Sequence, residues 1–225
     1  MKNINFLIWI LIVGLQGCAV ADIYNMQGME GRVVDKATKQ PLEGVMVVEV
    51  WEVGGGFEGH TVDYLPLGEA ETDSSGRYSF PARGAGKVSE GFLKEYTPRL
   101  IFFKPGYVFF SKGNRYHPDR RFEYNRRSDW DGKTIEMEKF EGTAQEWAKE
   151  VERFSSVLGD FTGRGGWCIW MGIPRTLRVV RHEDVRLESM GLRPRAAISA
   201  PWVMGELGKC ATFDAFKKAY ENGAN

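Results

Sequence analysis

The sequence predicts a mainly β protein, in which a seven-stranded antiparallel sandwich is followed by a helical carboxyl-terminal extension. Between residues 28 and 140, short apolar or alternating segments are separated by turn residues, as in an all-β domain. The 225 residues include 27 Gly, 14 Phe, 8 Tyr and 7 Trp, which suits a turn-rich protein with an aromatic core. From residue 141 onward the apolar residues recur at helical spacing.

The overall composition excludes two broad classes of protein. Hydrophobic residues make up 43% of the chain and charged residues 27%, so the chain is neither disordered nor a polytopic membrane protein. Thirty basic and thirty acidic residues give a formal net charge of zero. A balanced charge gives no indication of nucleic-acid binding, and we expect no nucleic-acid partner.

The amino terminus has the pattern of an export signal. The apolar run from Phe6 to Leu15 follows Lys2 and has about half the ~20 residues that a membrane-spanning helix needs. The next residues complete Leu15-Gln16-Gly17-Cys18, which resembles the bacterial lipobox. That resemblance implies a signal peptide at residues 1–17, acylation of Cys18 and an anchor linker at 18–27.

The residue after the acylated cysteine implies a destination. Ala19 stands where Asp would resemble an inner-membrane retention signal. The resemblance therefore implies a protein anchored in the bilayer through Cys18, at the periplasmic face of the outer membrane. An ordinary secretory signal is the alternative, since Gly17-Cys18-Ala19 and Ala19-Val20-Ala21 both have the small-x-small pattern that precedes such a cleavage site.

Two cysteines remain once Cys18 is acylated. They are Cys168 and Cys210, an even pair in an oxidising compartment, which favours a disulfide between them. Two buried free thiols are the alternative, because the spacing alone does not decide.

Turn signals divide the sandwich region into strands. Thr72–Gly76 and Pro105-Gly106 are strong turns, because Asp and Ser bond neighbouring backbone and Gly accepts positive φ. The predicted strands are Gly31–Asp35, Val45–Trp51, Arg77–Phe80, Pro98–Lys104, Tyr107–Phe110 and Lys133–Glu138.

Four short blocks in this region carry a family resemblance. They are Gly31-x-Val33-x-Asp35, Pro41-Leu42-x-Gly44-Val45-x-Val47, Thr72-Asp73-x-x-Gly76-x-Tyr78 and Lys104-Pro105-Gly106-Tyr107. In this order they resemble the carboxypeptidase regulatory-like domain, which implies a transthyretin-like sandwich over residues 28–140. The resemblance says little about function, because such domains accompany peptidases, receptors, transporters and lipoproteins.

Three segments are longer than a minimal domain of this kind requires. They are Val53–Gly68, Arg83–Thr97 and Gly113–Gly132.

Residues 141–225 are predicted to be helical. Thr143-Ala-Gln-Glu146 is a capping-box pattern, and Trp147, Val151, Phe154 and Leu158 follow on one helical face. Further helices are predicted from Pro174, with Leu177, Val180 and Leu187 on one face, and near Phe213, Phe216 and Tyr220. The extension either packs on the sandwich or forms a small second domain.

The sequence contains no recognisable catalytic motif. It lacks a His-Glu-x-x-His zinc motif, a Gly-x-Ser-x-Gly elbow, a phosphate-binding loop and a Cys-x-x-Cys pair. His60 and Asp63 come nearest to a ligand pair, and Gly163–Gly166 is expected to be a surface turn. We therefore expect no metal site, no cofactor and no catalytic residue.

The most suggestive stretch is the Arg-aromatic segment, Lys112–Arg127. It holds five Arg, one Lys and three aromatic residues with only two acids. Arg side chains grip carboxylates or phosphates, and aromatic faces stack on sugars or peptides. The candidate binding residues are Arg115, Tyr116, Arg120, Arg121, Tyr124, Arg126 and Arg127. The alternative is a solvated hairpin whose Arg stems cover apolar surface.

Two functional interpretations follow. In the first, the protein is a membrane-anchored, non-catalytic lipoprotein that binds or scaffolds a periplasmic protein, peptide or glycan. In the second, it is a hydrolase whose dispersed site lies at the junction of sandwich and helices.

Overall fold

The computed structural model describes residues 22–56, 58–88, 90–161, 167–192, 210, 214–215 and 217–218. Within them the chain is mainly β, with two α-helices in its carboxyl-terminal part. The strands are β1 (Asp22–Met26), β2 (Met29–Asp35), β3 (Met46–Val50), β4 (Glu52–Gly55), β5 (His60–Tyr64), β6 (Gly68–Glu71), β7 (Arg77–Phe80), β8 (Gly84–Val88), β9 (Phe92–Leu93), β10 (Arg99–Phe103), β11 (Phe110–Lys112), β12 (Asn125–Arg126) and β13 (Lys133–Met137). The helices are α1 (Ala144–Gly159) and α2 (Pro174–Ser189), with 3-10 helices at Pro118–Phe122 and Trp167–Gly172.

Seven of these strands form the predicted sandwich. One sheet has the order β13-β2-β7 and the other β11-β10-β3-β6. Neighbouring strands are antiparallel except β2 and β13, which run parallel. A long connection separates these two strands in sequence, and only such a crossover allows a parallel pair.

The space between the two sheets is filled by apolar side chains. Val33 and Ile135 from one sheet meet Val47 and Phe102 from the other, and all four are buried. The ring of Tyr78 packs edge-on against Phe102, with 5.8 Å between the ring centres. This is the core that the alternating pattern of the strands predicted.

The helices cover the outer face of the four-stranded sheet. Successive residues of a strand point to opposite faces, so Val48 and Phe103 face away from the sandwich core. Phe154 of α1 stacks on Phe103 with 4.1 Å between the ring centres. The predicted α1 stripe, from Trp147 to Leu158, is buried in this interface.

The two helices begin in different ways. Helix α1 has the predicted capping box, in which Thr143 Oγ1 accepts from Glu146 N and Glu146 Oε2 accepts from Thr143 N. Helix α2 has no side-chain cap at Ile173. Instead Glu69 of β6 accepts from the backbone N–H groups of Arg175 and Thr176, at 2.9 and 2.8 Å. This carboxylate fixes α2 to the sandwich.

The three long segments contribute most of two accessory sheets, whose orders are β12-β1-β8 and β5-β4-β9. Buried side chains that include Tyr24, Trp51, Val88 and Leu93 form their small shared core. Strand β1 lies inside the stretch that we expected to be linker. Its central position between β8 and β12 fixes it to the body.

Cys168 and Cys210 form the predicted disulfide, with 5.7 Å between their Cα atoms.

The strand expected at Tyr107–Phe110 is displaced. Tyr107 forms only an isolated bridge to Lys139, and the ladder begins at Phe110 in β11. Pro105-Gly106 turns the chain, and three further residues pass before it reaches the sheet edge at Phe110.

Some expectations lie outside the described residues. They are residues 1–21 with Cys18, the turn at Gly163–Gly166 and most of the short helix near Phe213 and Tyr220. Among the described residues, no helix has both the length and the apolar character needed to cross a membrane.

Candidate binding surface

The Arg-aromatic segment is fixed at both ends by a network around Asn114 and Asp129. Asn114 Nδ2 donates to the carbonyl oxygens of Thr97 and Arg127, each at 2.9 Å. Its Oδ1 accepts from Asp129 N at 2.8 Å, and Asp129 Oδ2 accepts from Arg115 N at 2.8 Å. These bonds close the segment into a defined loop on the sandwich.

Two of the seven candidate binding residues point inward. The Arg126 side chain is only 2% exposed and donates to the carbonyl oxygen of Arg120. Its guanidinium lies 3.5 Å from Asp22 Oδ2, and burial lowers its pKa. Arg120 forms an ion pair with Asp129. The interpretation of Arg126 as a binding residue is therefore corrected: side chains alternate along β12, and residue 126 takes the inward position.

Other members of the segment face solvent. Tyr116 is 72% exposed and Tyr124 48%, and Arg115 and Arg127 are also exposed. Arg121 belongs to the 3-10 helix that spans Pro118–Phe122. The structure thus divides the segment into a buried part, which holds it together, and an exposed part.

Sequence reasoning missed two exposed residues of this surface. Phe122 is 83% exposed, because it ends the 3-10 helix and has no strand partner. A shallow depression of about 510 Å³ lies beside it and is lined by His117, Asp119, Arg120, Phe122 and Glu123. Ile23 is 60% exposed on β1, which had been assigned to a linker.

The Arg-aromatic segment lies directly beside β1. Asn25 N donates to Tyr124 O at 2.7 Å, and Gln27 N donates to Arg126 O at 2.9 Å. On the opposite edge of β1, Asp22 pairs with Val88. The first described residue of the chain therefore sits between the Arg-aromatic segment and β8.

The junction of sandwich and helices is filled rather than open. Phe103, Phe154 and Trp170 are fully buried there. At its rim a depression of about 490 Å³ includes Glu183, whose carboxylate accepts from Trp147 Nε1 and pairs with Arg186. The only carboxylate facing this depression is thus already engaged among the described residues.

One acid in the helical layer has an unusual environment. Burial raises the pKa of Asp184 to about 7, although Arg181 opposes the shift. Its Oδ1 atom has no hydrogen-bond partner among the described residues. Perturbed acids often mark active sites, but Asp184 lines none of the depressions described here.

A second polar cluster lies under the β4–β5 hairpin. Glu52 is buried, and its Oε1 lies 3.0 Å from Arg99 Nη2. Its Oε2 accepts from Tyr96 Oη at 2.8 Å and from Thr61 Oγ1 at 3.1 Å. Both carboxylate oxygens are satisfied, so the cluster joins β4 to its neighbours.

The His60–Asp63 pair does not assemble a ligand set. His60 Nε2 lies 2.6 Å from Glu58 Oε2, and both side chains are largely exposed. Within the described ranges, no three His, Cys, Asp or Glu side chains group as metal ligands.

Comparison with known proteins assigns the chain to no family. No family model matches the chain, and no curated protein matches it. Among solved structures, 3-chlorocatechol 1,2-dioxygenase from Rhodococcus opacus 1CP is 16% identical, with a TM-score of 0.29. The match covers 56% of this chain and 64% of the dioxygenase.

A second structural match is the dioxygenase domain of a carbohydrate-binding fusion protein from Streptomyces sp. SirexAA-E. It is 16% identical, with a TM-score of 0.26, and the match covers 55% of this chain and 83% of that one. TM-scores this low support no conclusion about fold or activity.

Proposed function

We propose that this protein is a lipid-anchored, non-catalytic binding or scaffolding lipoprotein at the periplasmic face of the outer membrane, built on a carboxypeptidase regulatory-like domain. The seven-stranded sandwich agrees with the fold that the four sequence blocks imply. The Cys168–Cys210 disulfide suits an oxidising compartment.

The observation that carries this proposal is the short distance in sequence between Cys18 and the folded body. Strand β1 begins at Asp22, four residues after the cysteine. Four residues span at most about 14 Å when fully extended. Acylation of Cys18 would thus hold the body close to the bilayer, as an adaptor at a membrane surface requires.

The packing of the junction favours a binding role over the hydrolase. A hydrolase site there would need a cleft with convergent polar groups, whereas buried aromatic rings occupy the space. Two kinds of contact are open to the anchored module. One is with a periplasmic protein, peptide or glycan, and the other is with the membrane surface next to the anchor.

The test is a Cys18→Ala variant expressed with a metabolically incorporated fatty-acid label. We expect the wild type to carry the label and to float with outer-membrane vesicles in a density gradient. The variant should lose the label and the membrane association together.

A Cys168→Ser, Cys210→Ser double variant is the matched control, because it also removes cysteines but should keep the label. An unlabelled wild type would overturn the lipoprotein proposal. So would a Cys18→Ala variant that stays with the membrane.

A further inference from the structure

We propose that Ile23, Tyr116, Phe122 and Tyr124 form a membrane-facing surface that rests on the headgroup layer of the bilayer holding the anchor. This inference rests on the proposed acylation of Cys18 and deepens it. The anchor decides that the protein is at the membrane, and this surface decides which side of it faces the lipid.

The first argument is position. Asp22 begins β1, and its carboxylate pairs with Arg126, which in turn donates to the carbonyl oxygen of Arg120 in the 3-10 helix. Asp22 Oδ2 also accepts from Leu93 N at 2.8 Å. The start of β1 is therefore fixed next to the helix that carries Phe122. A lipid four residues earlier in the chain cannot lie far from that helix.

The second argument is the concentration of exposed apolar side chains. Seven large hydrophobic residues are strongly exposed among the described residues, and four of them belong to this surface. Ile23 lies on β1, Tyr124 directly precedes β12, and Phe122 and Tyr116 lie in or beside the 3-10 helix. Clustered exposed apolar residues mark interaction sites, whereas scattered ones do not.

The third argument is chemical fit to a headgroup layer. Tyrosine places an apolar ring and a polar hydroxyl at the boundary between lipid and water, where such residues are enriched. Arg115 and Arg127 are exposed in the same segment, and Lys87 pairs with Ile23 across β1 and β8. Such cations contribute about 1 kcal/mol each near an anionic bilayer.

Nearby acidic residues reduce the electrostatic attraction of this surface to an anionic bilayer. Asp119 is almost fully exposed and Glu123 partly so, and both belong to the 3-10 helix or its end. The surface should therefore depend on insertion of its apolar rings more than on charge. Its expected depth is that of an interfacial segment, about 5–10 Å into the boundary region.

The experiment places a fluorophore at Phe122. A Phe122→Cys variant of the acylated mature protein is labelled with a polarity-sensitive dye; the Cys168–Cys210 disulfide does not react with it. The labelled protein is reconstituted into phosphatidylethanolamine–phosphatidylglycerol vesicles, with or without a nitroxide-labelled lipid. Val185→Cys is the control, because Val185 is 47% exposed but belongs to helix α2.

We expect the nitroxide lipid to quench roughly half or more of the emission at position 122 and little at position 185. Equal quenching at the two positions would overturn the membrane-facing surface. A second outcome would also overturn it: the dye at position 122 is not quenched by the nitroxide lipid, and periplasmic extract protects it from quenching by aqueous iodide. That result would assign the surface to a soluble partner.

Co-flotation separates the two proposals. If the labelled protein floats with the vesicles and position 122 stays unquenched, the anchor stands and the membrane-facing surface is wrong. If the wild type carries no fatty-acid label, the lipoprotein proposal itself fails, and this surface with it.

Discussion

The helical side of this molecule and its β1 side, which comprises β1 and the Arg-aromatic segment, are stabilised by different interactions. On the helical side, α1 and α2 cover a sheet face with rings that exclude water, and Phe103 and Phe154 are fully buried. On the β1 side, short strands are joined by ion pairs such as Asp22–Arg126, while Phe122 projects into solvent. The first region is therefore stabilised by buried rings, whereas the second depends more on polar contacts and leaves apolar side chains exposed.

The largest expected effect is on the helical side. Phe154→Ala removes a ring stacked on Phe103 and packed near Phe109. Because the cavity it leaves cannot collapse fully, we expect a loss of about 3–5 kcal/mol in the free energy of unfolding. Urea denaturation of the mature protein measures it. Phe122→Ala is the matched control and should change stability by less than about 0.5 kcal/mol.

The next effect distinguishes two neighbouring arginines on the β1 side. Arg126→Gln removes a buried cation from Asp22 and from the Arg120 carbonyl. We expect a loss of about 2–3 kcal/mol, below the value for a fully buried pair because Asp22 is partly exposed.

Arg127→Gln, at an exposed position, should cost about 0–0.5 kcal/mol. Chemical denaturation compares the two variants, and amide exchange locates the change. If the two variants behave alike, or if Arg126→Gln leaves β12 protected, the division of this segment into buried and exposed parts is wrong.

The contrast between Arg126 and Arg127 shows a limit of prediction from the sequence. The composition of the Arg-aromatic segment identified it as unusual, but composition does not say which arginine faces inward. That depends on β12 pairing with β1, and the sequence offered no reason to treat Asp22–Met26 as a strand. Strands β1 and β12 are short, and neither has a clearly alternating pattern. They also lie about a hundred residues apart in the sequence, so no local pattern predicts that they pair.

Sequence patterns predicted the structure correctly where the interacting residues are close together in the chain. The capping box at Thr143, the buried stripe of α1 and strand β7 follow the pattern of a few neighbouring residues. The start of α2 also has a cap, but the carboxylate comes from Glu69, more than a hundred residues away. Nothing in the neighbouring sequence distinguishes that glutamate from the other acidic residues of the chain.

A smaller effect is expected at Asp184 in helix α2, where a substitution should raise the free energy of unfolding rather than lower it. Burial raises the pKa of Asp184 to about 7 from 3.8, so the folded protein holds this proton more tightly than the unfolded chain. Stability should therefore fall as the pH rises from about 4 to 7, and Asp184→Asn should remove that fall.

At pH 8 we expect the Asp184→Asn variant to be more stable by about 1–2 kcal/mol, since some relaxation around the carboxylate reduces the full cost. Urea titrations at pH 4 and pH 8 test this, with Glu141→Gln as the control, because Glu141 is exposed and lies outside helix α2. A difference that does not grow with pH would show that Asp184 ionises normally in the folded protein.

The smallest expected effect tests whether the helical side depends on its local cap or on its packing. Thr143→Ala removes the hydroxyl that accepts from Glu146 N, while Thr143→Ser keeps it. Because an N-cap contributes about 1 kcal/mol, the Ala variant should lose roughly that amount and the Ser variant little. Urea denaturation measures both, and amide exchange should show faster opening confined to the first turn of α1. If instead the Ala variant lost as much stability as Phe154→Ala, the cap and not the buried rings would hold α1 to the sheet.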